Sequence, residues 1–337
     1  MTTLNREWPP FAPLARRPTP IEPLQAWGDS LGVPMAIKRD DLTGAALSGN
    51  KVRKLEFLLA DARAHQADIV LTCGGIQSNH ARATAIGAAR LGMGCLLLLR
   101  GDAPARVEGN VLLDRMVGAD IRFITSEQYR DRDRIFGEES ERLRRLGHTP
   151  YVIPEGGSTA LGSLGYVLAM EEIHSQCVES GERFDVIVTA VGSGGTLAGL
   201  LAGHAMHPAT TPRPIGINVC DTAAHFEGIV RTLVDEMAEQ YNTPPVDASA
   251  VEILDGHVGR GYALSTNEEL DTLTRFARKT GIFLDPVYSG KAMHGLITEI
   301  ERDPESWRGK RVLFLHTGGI FGLFPRGGTL EIPLESD

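Results

Sequence analysis

Lys51 is the residue whose type and setting most invite chemistry. It follows Ser48-Gly49-Asn50, where serine and glycine suit a tight turn and asparagine is a good helix N-cap. It precedes Leu55, Leu58, Leu59 and Ala62, which recur at helical spacing. Lys51 therefore falls in the first turn of a helix, where the positive end of the helix dipole disfavours a cation. A lysine set against its own electrostatics suits a nucleophile with a lowered ammonium pKa, of the kind that forms a Schiff base. A solvated surface lysine is the plain alternative.

A second candidate is Gly192-Ser193-Gly194-Gly195-Thr196, which follows an apolar run and opens a small-residue helix. Glycines let backbone N–H groups converge, the helix start adds positive potential, and the Ser193 and Thr196 hydroxyls can donate, so the stretch reads as a phosphate cradle. It lacks the Gly-Lys-Ser/Thr of a P-loop and the spacing of a dinucleotide fingerprint. A ligand-free tight turn is the other reading. Ser78-Asn79-His80 also stands where a strand gives way to a helix, a place where open α/β sheets bind ligands. Ser78 there is either an acid, base or nucleophile or simply an N-cap, and His80 either faces a ligand or lies on the helix surface. Tyr262 and Tyr288 are candidates for ring stacking or proton transfer, and Thr317, before Gly318-Gly319, for a hydroxyl against a ligand ring.

These residues need a frame, and the hydrophobic pattern supplies one. Short apolar runs at 35–38, 68–72, 95–99, 121–124, 151–154, 185–190, 215–219, 251–254 and 311–316 read as strands. Helical patterns fall between most of them, at 80–91, through Leu112 and Met116, before Tyr151, at 160–179, from Leu197, over most of 223–248, at 267–280 and after Lys291. Such alternation predicts an α/β protein with parallel sheets covered on both faces. The prolines between Pro9 and Pro20 predict an extended lead-in along the surface.

The chain has 337 residues, enough for two ordinary domains, and 42% hydrophobic with 23% charged residues is the balance of a globular protein. A formal charge of -9 at pH 7 argues against nucleic acid as a partner, because neutralising phosphates takes concentrated Lys and Arg. The arginines from Arg130 to Arg145 are interleaved with acids and read as an ion-paired, solvated face. Cys73, Cys95, Cys177 and Cys220 form no metal-ligand cluster and read as reduced structural thiols. No signal-peptide core or membrane span is present, so the expected place is the cytoplasm.

Seven stretches together resemble a known family. They are Lys38-Arg39-Asp40-Asp41, the Gly49–Glu56 stretch around Lys51, Gly75-Ile76-Gln77-Ser78-Asn79-His80, Leu161-Gly162-Ser163-Leu164-Gly165-Tyr166, the glycine loop at 192–196, Asp285-Pro286-Val287-Tyr288-Ser289-Gly290-Lys291 and His316-Thr317-Gly318-Gly319. The chain resembles the fold-type II pyridoxal-phosphate enzymes, in the branch of D-cysteine desulfhydrase, 1-aminocyclopropane-1-carboxylate deaminase and L-cysteate sulfo-lyase. The resemblance implies two intimately joined lobes, each an open, mostly parallel twisted sheet flanked by helices. The division expected is a larger cofactor-binding domain of 1–48 and 163–337 and a smaller substrate-side domain of 49–162. It also implies a homodimer.

For the site, the resemblance implies that Lys51 holds pyridoxal 5'-phosphate covalently and that Asn50, Gly192, Ser193, Gly194, Gly195, Thr196, Asn79 and Thr317 bind it. The substrate-facing set is Ser78, Asn79, His80, Ser158, Tyr262 and Tyr288, with Lys51, Ser78, Tyr262 and Tyr288 as catalytic groups and no metal. Within the branch, the deaminase pattern has Glu after the tyrosine and Leu before the last Gly-Gly, where this chain has Ser289 and Thr317. A neutral hydroxyl in place of an anionic partner leaves the cofactor ring a weaker electron sink. That suffices for β-elimination of a good leaving group but serves less well for opening a cyclopropane. The expected activity is thus D-cysteine to pyruvate, sulfide and ammonia, with Lys51 or Ser78 removing the Cα proton. The alternatives are the sulfo-lyase, the deaminase, a non-catalytic cofactor-binding protein, or a nicotinamide-dependent dehydrogenase using Asp221.

Overall fold

Each apolar run singled out above contributes a strand, and the strands sort into two sheets. In chain order they are β1 (Ile21–Pro23), β2 (Met35–Lys38), β3 (Ile69–Gly75), β4 (Gly94–Arg100), β5 (Asp120–Ile124), β6 (Pro150–Val152), β7 (Val186–Val191), β8 (Arg213–Asn218), β9 (Ile253–Leu254) and β10 (Val312–Leu315). The computed structural model describes residues 7–325. One sheet has the order β1-β2-β10-β7-β8-β9 and the other β5-β4-β3-β6. All pairings are parallel except that of β1 with β2.

The central strands of both sheets are buried on two faces, which explains why they are continuously apolar. In β7, Val186 and Val188 join one core cluster with Val312 and Phe314 of β10. Ile187, Leu313 and Leu315 point the other way, onto Tyr166, Met170 and Ile173 of the long helix Ala160–Ser180. In the four-stranded sheet, Val70 and Leu97 meet Leu55, Leu58 and Leu59 of the helix Lys51–Ala64. Leu71 and Leu98 meet Ile135, Phe136 and Leu143 of the helix Arg132–Arg145. The outer side of that helix carries the expected ion pairs, Arg134 with Asp131 and Glu138, and Arg142 with Glu139.

Several expectations need correction. The proline-rich lead-in does not merely lie on the surface: Ala12 and Leu14 are buried in the small-sheet core, and the Leu14 and Ala15 N–H groups each donate to Glu56 Oε1 at 2.9 Å. Apolar side chains among the prolines decided that outcome. The helix after Thr222 stops at Tyr241, where Asn242 adopts a left-handed φ of 53°. The strand β1 and the helix Gln25–Leu31 carry signals too short to stand out in the sequence. Among the described residues no helix is long and apolar enough to cross a membrane.

One buried network ties the larger sheet and its long covering helix to the helix that bears Lys51. Arg53 Nε and Nη2 donate to the two Asp40 carboxylate oxygens, each at 2.8 Å. Its Nη1 and Nη2 also donate to Glu172, each at 3.0 Å. Asp40 further accepts from Thr19 Oγ1 at 2.7 Å and Tyr166 Oη at 2.6 Å. Burial alone would raise the Asp40 carboxyl, but the charge and hydrogen bonds of Arg53 reverse this and lower it to about 2. Since that is below its unfolded value of 3.8, the stabilisation is present in full above the latter and lost as pH falls through about 2. Asp40→Asn leaves the buried guanidinium short of one counter-charge and should lower the unfolding free energy by about 3 kcal/mol near neutral pH. Urea titrations check this, and the gap to the parent protein should narrow as the pH approaches 2.

Candidate active site

In each sheet the connections leave in opposite directions at one point, between β3 and β6 and between β10 and β7. Crevices beyond the carboxyl ends of strands at such points are where open α/β sheets bind ligands. Here both crevices open into one pocket. Ser78, Asn79 and His80 come from the end of β3, Gly192 to Gly194 and Thr196 from the end of β7, and Thr317 from the end of β10. Lys51 enters from the first turn of its helix, and Tyr262 and Tyr288 complete the wall.

Lys51 faces the glycine loop. A Cβ built on Gly156 would lie 3.5 Å from the Lys51 amine and 2.6 Å from Ser193 Oγ, so both groups flank the same glycine. Burial lowers the Lys51 ammonium from 10.5 to about 8, with Glu155 and Cys220 opposing the shift. The asparagine before it is not a side-chain cap. Asn50 has helical φ and ψ, and its amide instead donates to Thr196 Oγ1 at 3.1 Å, while its N–H donates to the Thr317 carbonyl at 3.1 Å. The residue read as a local cap thus joins three chain segments around the pocket.

Lys54, one helical turn beyond Lys51, is 1% exposed. It donates to Gly156 O at 3.3 Å and Ser158 Oγ at 3.1 Å, and among the described residues it has no carboxylate partner. Burial, reinforced by the nearby Lys51 charge, lowers its pKa well below the ordinary lysine value. Ser158 Oγ also donates to Ser193 Oγ at 2.9 Å and accepts from Gly195 N at 3.3 Å. Ser158, expected on the substrate side, is therefore bound to the glycine loop. A Cβ on Gly195 would come within 2.8 Å of both Lys54 Nζ and Ser158 Oγ, so only glycine fits there. Two buried amines, hydroxyls and a helix start, with Glu155 as the one lining carboxylate among the described residues, form a site that still favours added negative charge.

Opposite the cradle, Ser78 is the N-cap of the helix Asn79–Arg90, accepting from Ala81 N at 3.1 Å, and it lines the pocket as well. The two readings of that serine coexist, because capping uses an oxygen lone pair and leaves the hydroxyl proton. His80 is not on the surface. It is buried, with Nε2 paired to Thr72 Oγ1 at 2.9 Å, and burial plus the charges of Lys51 and Lys54 hold it neutral. Asn79 Oδ1 accepts from Asn110 Nδ2 at 3.1 Å, which leaves its amide N–H groups to the pocket. The Tyr288 and Tyr262 oxygens are 3.2 Å apart, and burial raises both phenols above their ordinary pKa. Ser289 does not line the pocket: its hydroxyl donates to Asp285 Oδ1 at 2.6 Å, and Asp285 also accepts from the Val287, Tyr288 and Ser289 N–H groups.

Residues 12–318 match the family model of the pyridoxal-phosphate dependent enzyme. The chain belongs to that family. A bifunctional D-cysteine desulfhydrase/1-aminocyclopropane-1-carboxylate deaminase, mitochondrial, of Arabidopsis thaliana is 43% identical over 93% of this chain and 79% of its own. A putative 1-aminocyclopropane-1-carboxylate deaminase of Thermotoga maritima is 43% identical over 94% of this chain and 98% of its own. A crystal structure described as an ACC deaminase homologue superposes with a TM-score of 0.88 at 40% identity, covering 96% of this chain and 95% of that one. The fold extends to O-ureido-L-serine synthase, with a TM-score of 0.66 at 18% identity over 96% of each chain. The chain is thus a fold-type II, pyridoxal-phosphate-dependent lyase, which sets aside the nicotinamide reading.

The pocket of this pyridoxal-phosphate enzyme fits its cofactor, since the unpaired Lys54 and the serine hydroxyls answer a phosphate dianion and Lys51 an aldehyde. Lys54, Glu155, Cys73 and Gly74 also stand at the site, outside the set of candidates legible in the sequence. The available signal was the spacing of Lys51 and Lys54, three residues apart and so on one helix face. Lys54→Met should raise the dissociation constant for pyridoxal phosphate about 100-fold. The same change should raise the stability of the cofactor-free protein by about 1 kcal/mol, because a buried unpaired cation is gone. Spectroscopic titration and urea denaturation check the two effects. Reductive methylation of Lys51 in cofactor-free protein, followed by mass spectrometry, should reach half its maximal rate near pH 8 instead of 10.5.

Proposed function

We propose that this lyase eliminates the β-substituent of a small amino acid, D-cysteine first, releasing sulfide and an aminoacrylate that takes up one water to give pyruvate and ammonia. The observation that carries the reading is the chemistry around Thr317. It presents a neutral side chain to the pocket, the nearby Asp285 is occupied by the backbone and Ser289, and Glu155 is the only acid among the lining residues. Among the described residues no free carboxylate is found beside Thr317 that would keep a pyridine ring protonated, which favours a reaction with a good leaving group over opening of a cyclopropane.

In this proposal Lys51 holds the cofactor and Lys54, Ser158, Ser193, Gly194, Gly195 and Thr196 hold its phosphate, with Asn50 fixing Thr196. Asn79 and Thr317 orient the ring. Pyridoxal phosphate, when bound, withdraws electrons from the substrate Cα, so that the Cα–H bond and then the bond from Cβ to sulfur can break. The proton leaves Cα to the Lys51 amine or to Ser78, whichever faces it. The lowered pKa of Lys51 makes the neutral amine accessible at moderate pH. The paired Tyr262 and Tyr288 hydroxyls, kept protonated by burial, stand ready to give a proton to the departing sulfur. The start of the helix Asn79–Arg90, with neutral His80 behind it, is placed for the substrate carboxylate.

The proposal also keeps the lobe division at 49–162 against 1–48 with 163–337. Strand membership supports it, since β3 to β6 form the smaller sheet and β1, β2 and β7 to β10 the larger. A homodimer is the state the resemblance implies, and the cytoplasm is proposed from the lack of a signal-peptide core in the sequence. The deaminase is the second reading, favoured by the names of the relatives. Incubation with D-cysteine, L-cysteine, L-cysteate and 1-aminocyclopropane-1-carboxylate decides between them. Pyruvate and sulfide from D-cysteine are expected, and 2-oxobutanoate as the main product would reverse the ranking. Lys51→Ala should abolish both turnover and the absorbance of the covalently held cofactor.

A further inference from the structure

Tyr262 does not belong to a regular element. It stands in the segment 255–266 between β9 and the helix Asn267–Thr280. The base of this loop is secured from below, since the buried Lys291 Nζ donates to Val258 O at 2.5 Å and Gly261 O at 2.9 Å. Ala263, directly after the tyrosine, has a φ of 57°, a conformation that a side-chain-bearing residue keeps only where its surroundings hold it.

The partner of the loop tip comes from the other sheet. Arg100 and Gly75 are paired residues at the carboxyl ends of β4 and β3. The Tyr262 ring rests on Gly75, where a Cβ would lie 3.2 Å from its Cε1. The Arg100 guanidinium carbon lies 5.1 Å from the Tyr262 ring centre and 4.8 Å from that of Tyr129. Among the described residues the Arg100 side chain makes no hydrogen bond or ion pair, so these rings are its partners. A half-buried guanidinium with no acceptor, gripped by rings from two parts of the chain, is placed to couple them.

We propose that Arg100 is a positioning residue that latches the Tyr262 loop onto the smaller sheet and so keeps the Tyr262 hydroxyl beside Tyr288 over the pocket. The effect on turnover rests on the reading that Tyr262 serves the substrate; the effect on the loop does not. Removing the cation frees the tip while Lys291 still holds the base.

Limited trypsin digestion of the cofactor-loaded enzyme reads the loop directly, because Arg260 is exposed two residues before the tyrosine. Arg100→Met should speed cleavage after Arg260 about tenfold, and Arg100→Lys, which keeps a cation over the ring, should restore most of the protection. With D-cysteine as substrate, kcat/KM should fall about tenfold in Arg100→Met, equivalent to about 1.4 kcal/mol. In a Tyr262→Leu background the same arginine change should alter it less than twofold, because the arginine acts through that ring. Unchanged cleavage after Arg260, or an equal loss in both backgrounds, overturns the latch. If the parent enzyme does not turn over D-cysteine, the substrate reading fails and the cleavage rates alone decide the latch. Should Arg100→Met not fold, Arg100→Gln carries the same comparison with a polar, uncharged side chain.

Discussion

The fork of Arg53 between Asp40 and Glu172 is the constraint on which the site depends. Arg53 lies two residues after Lys51 on the same helix, while Asp40 follows a strand of the larger sheet and Glu172 stands on the long helix that covers it. The two carboxylates thus fix both the axial position and the rotation of the helix that delivers the amine. A buried ion pair is a poor source of net stability, since desolvation consumes most of the Coulombic gain. Its value here is geometric: bidentate bonds from a planar group allow one orientation, whereas apolar packing would tolerate several.

That rigidity makes a second feature tolerable. Lys51 and Lys54 bring two buried amines to one site where, among the described residues, Glu155 is the one lining carboxylate, and the charge of Lys51 adds to burial in lowering the Lys54 pKa. An apoprotein with such an arrangement carries an unfavourable electrostatic term that a dianion relieves. Cofactor affinity is therefore partly stored in the folded chain before anything binds, and Arg53, between the two lysines in the chain, fixes the orientation of the helix that carries them.

The fold was largely legible because both sheets are parallel and covered on two faces. Full burial turns each central strand into an uninterrupted apolar run, and the helices between them show a separate period. The catalytic candidates were legible for a related reason: strand ends followed by Ser-Asn-His, Gly-Ser-Gly-Gly-Thr or Thr-Gly-Gly are abrupt breaks in those runs. Less legible were side chains whose partners are remote in the chain. Asn50, read as a cap and a cofactor ligand, reaches Thr196; Ser158, read as substrate-facing, bonds Lys54 and Ser193; His80, read as either substrate-facing or on the helix surface, is buried and pairs with Thr72.

By itself the sequence determined the alternation of strands and helices, the solvated charge of the arginine-rich helix, and which turns could hold a phosphate or present a nucleophile. These follow from local rules, namely periodicity, backbone freedom at glycine and the hydrogen-bonding capacity of each side chain. Only the tertiary structure decided that those turns share one pocket, that Lys54 has no carboxylate partner among the described residues and that Asp285 is already satisfied by its own neighbours. Such facts depend on desolvation and on which groups remain unpaired once distant segments meet, and neither quantity exists until the chain is folded.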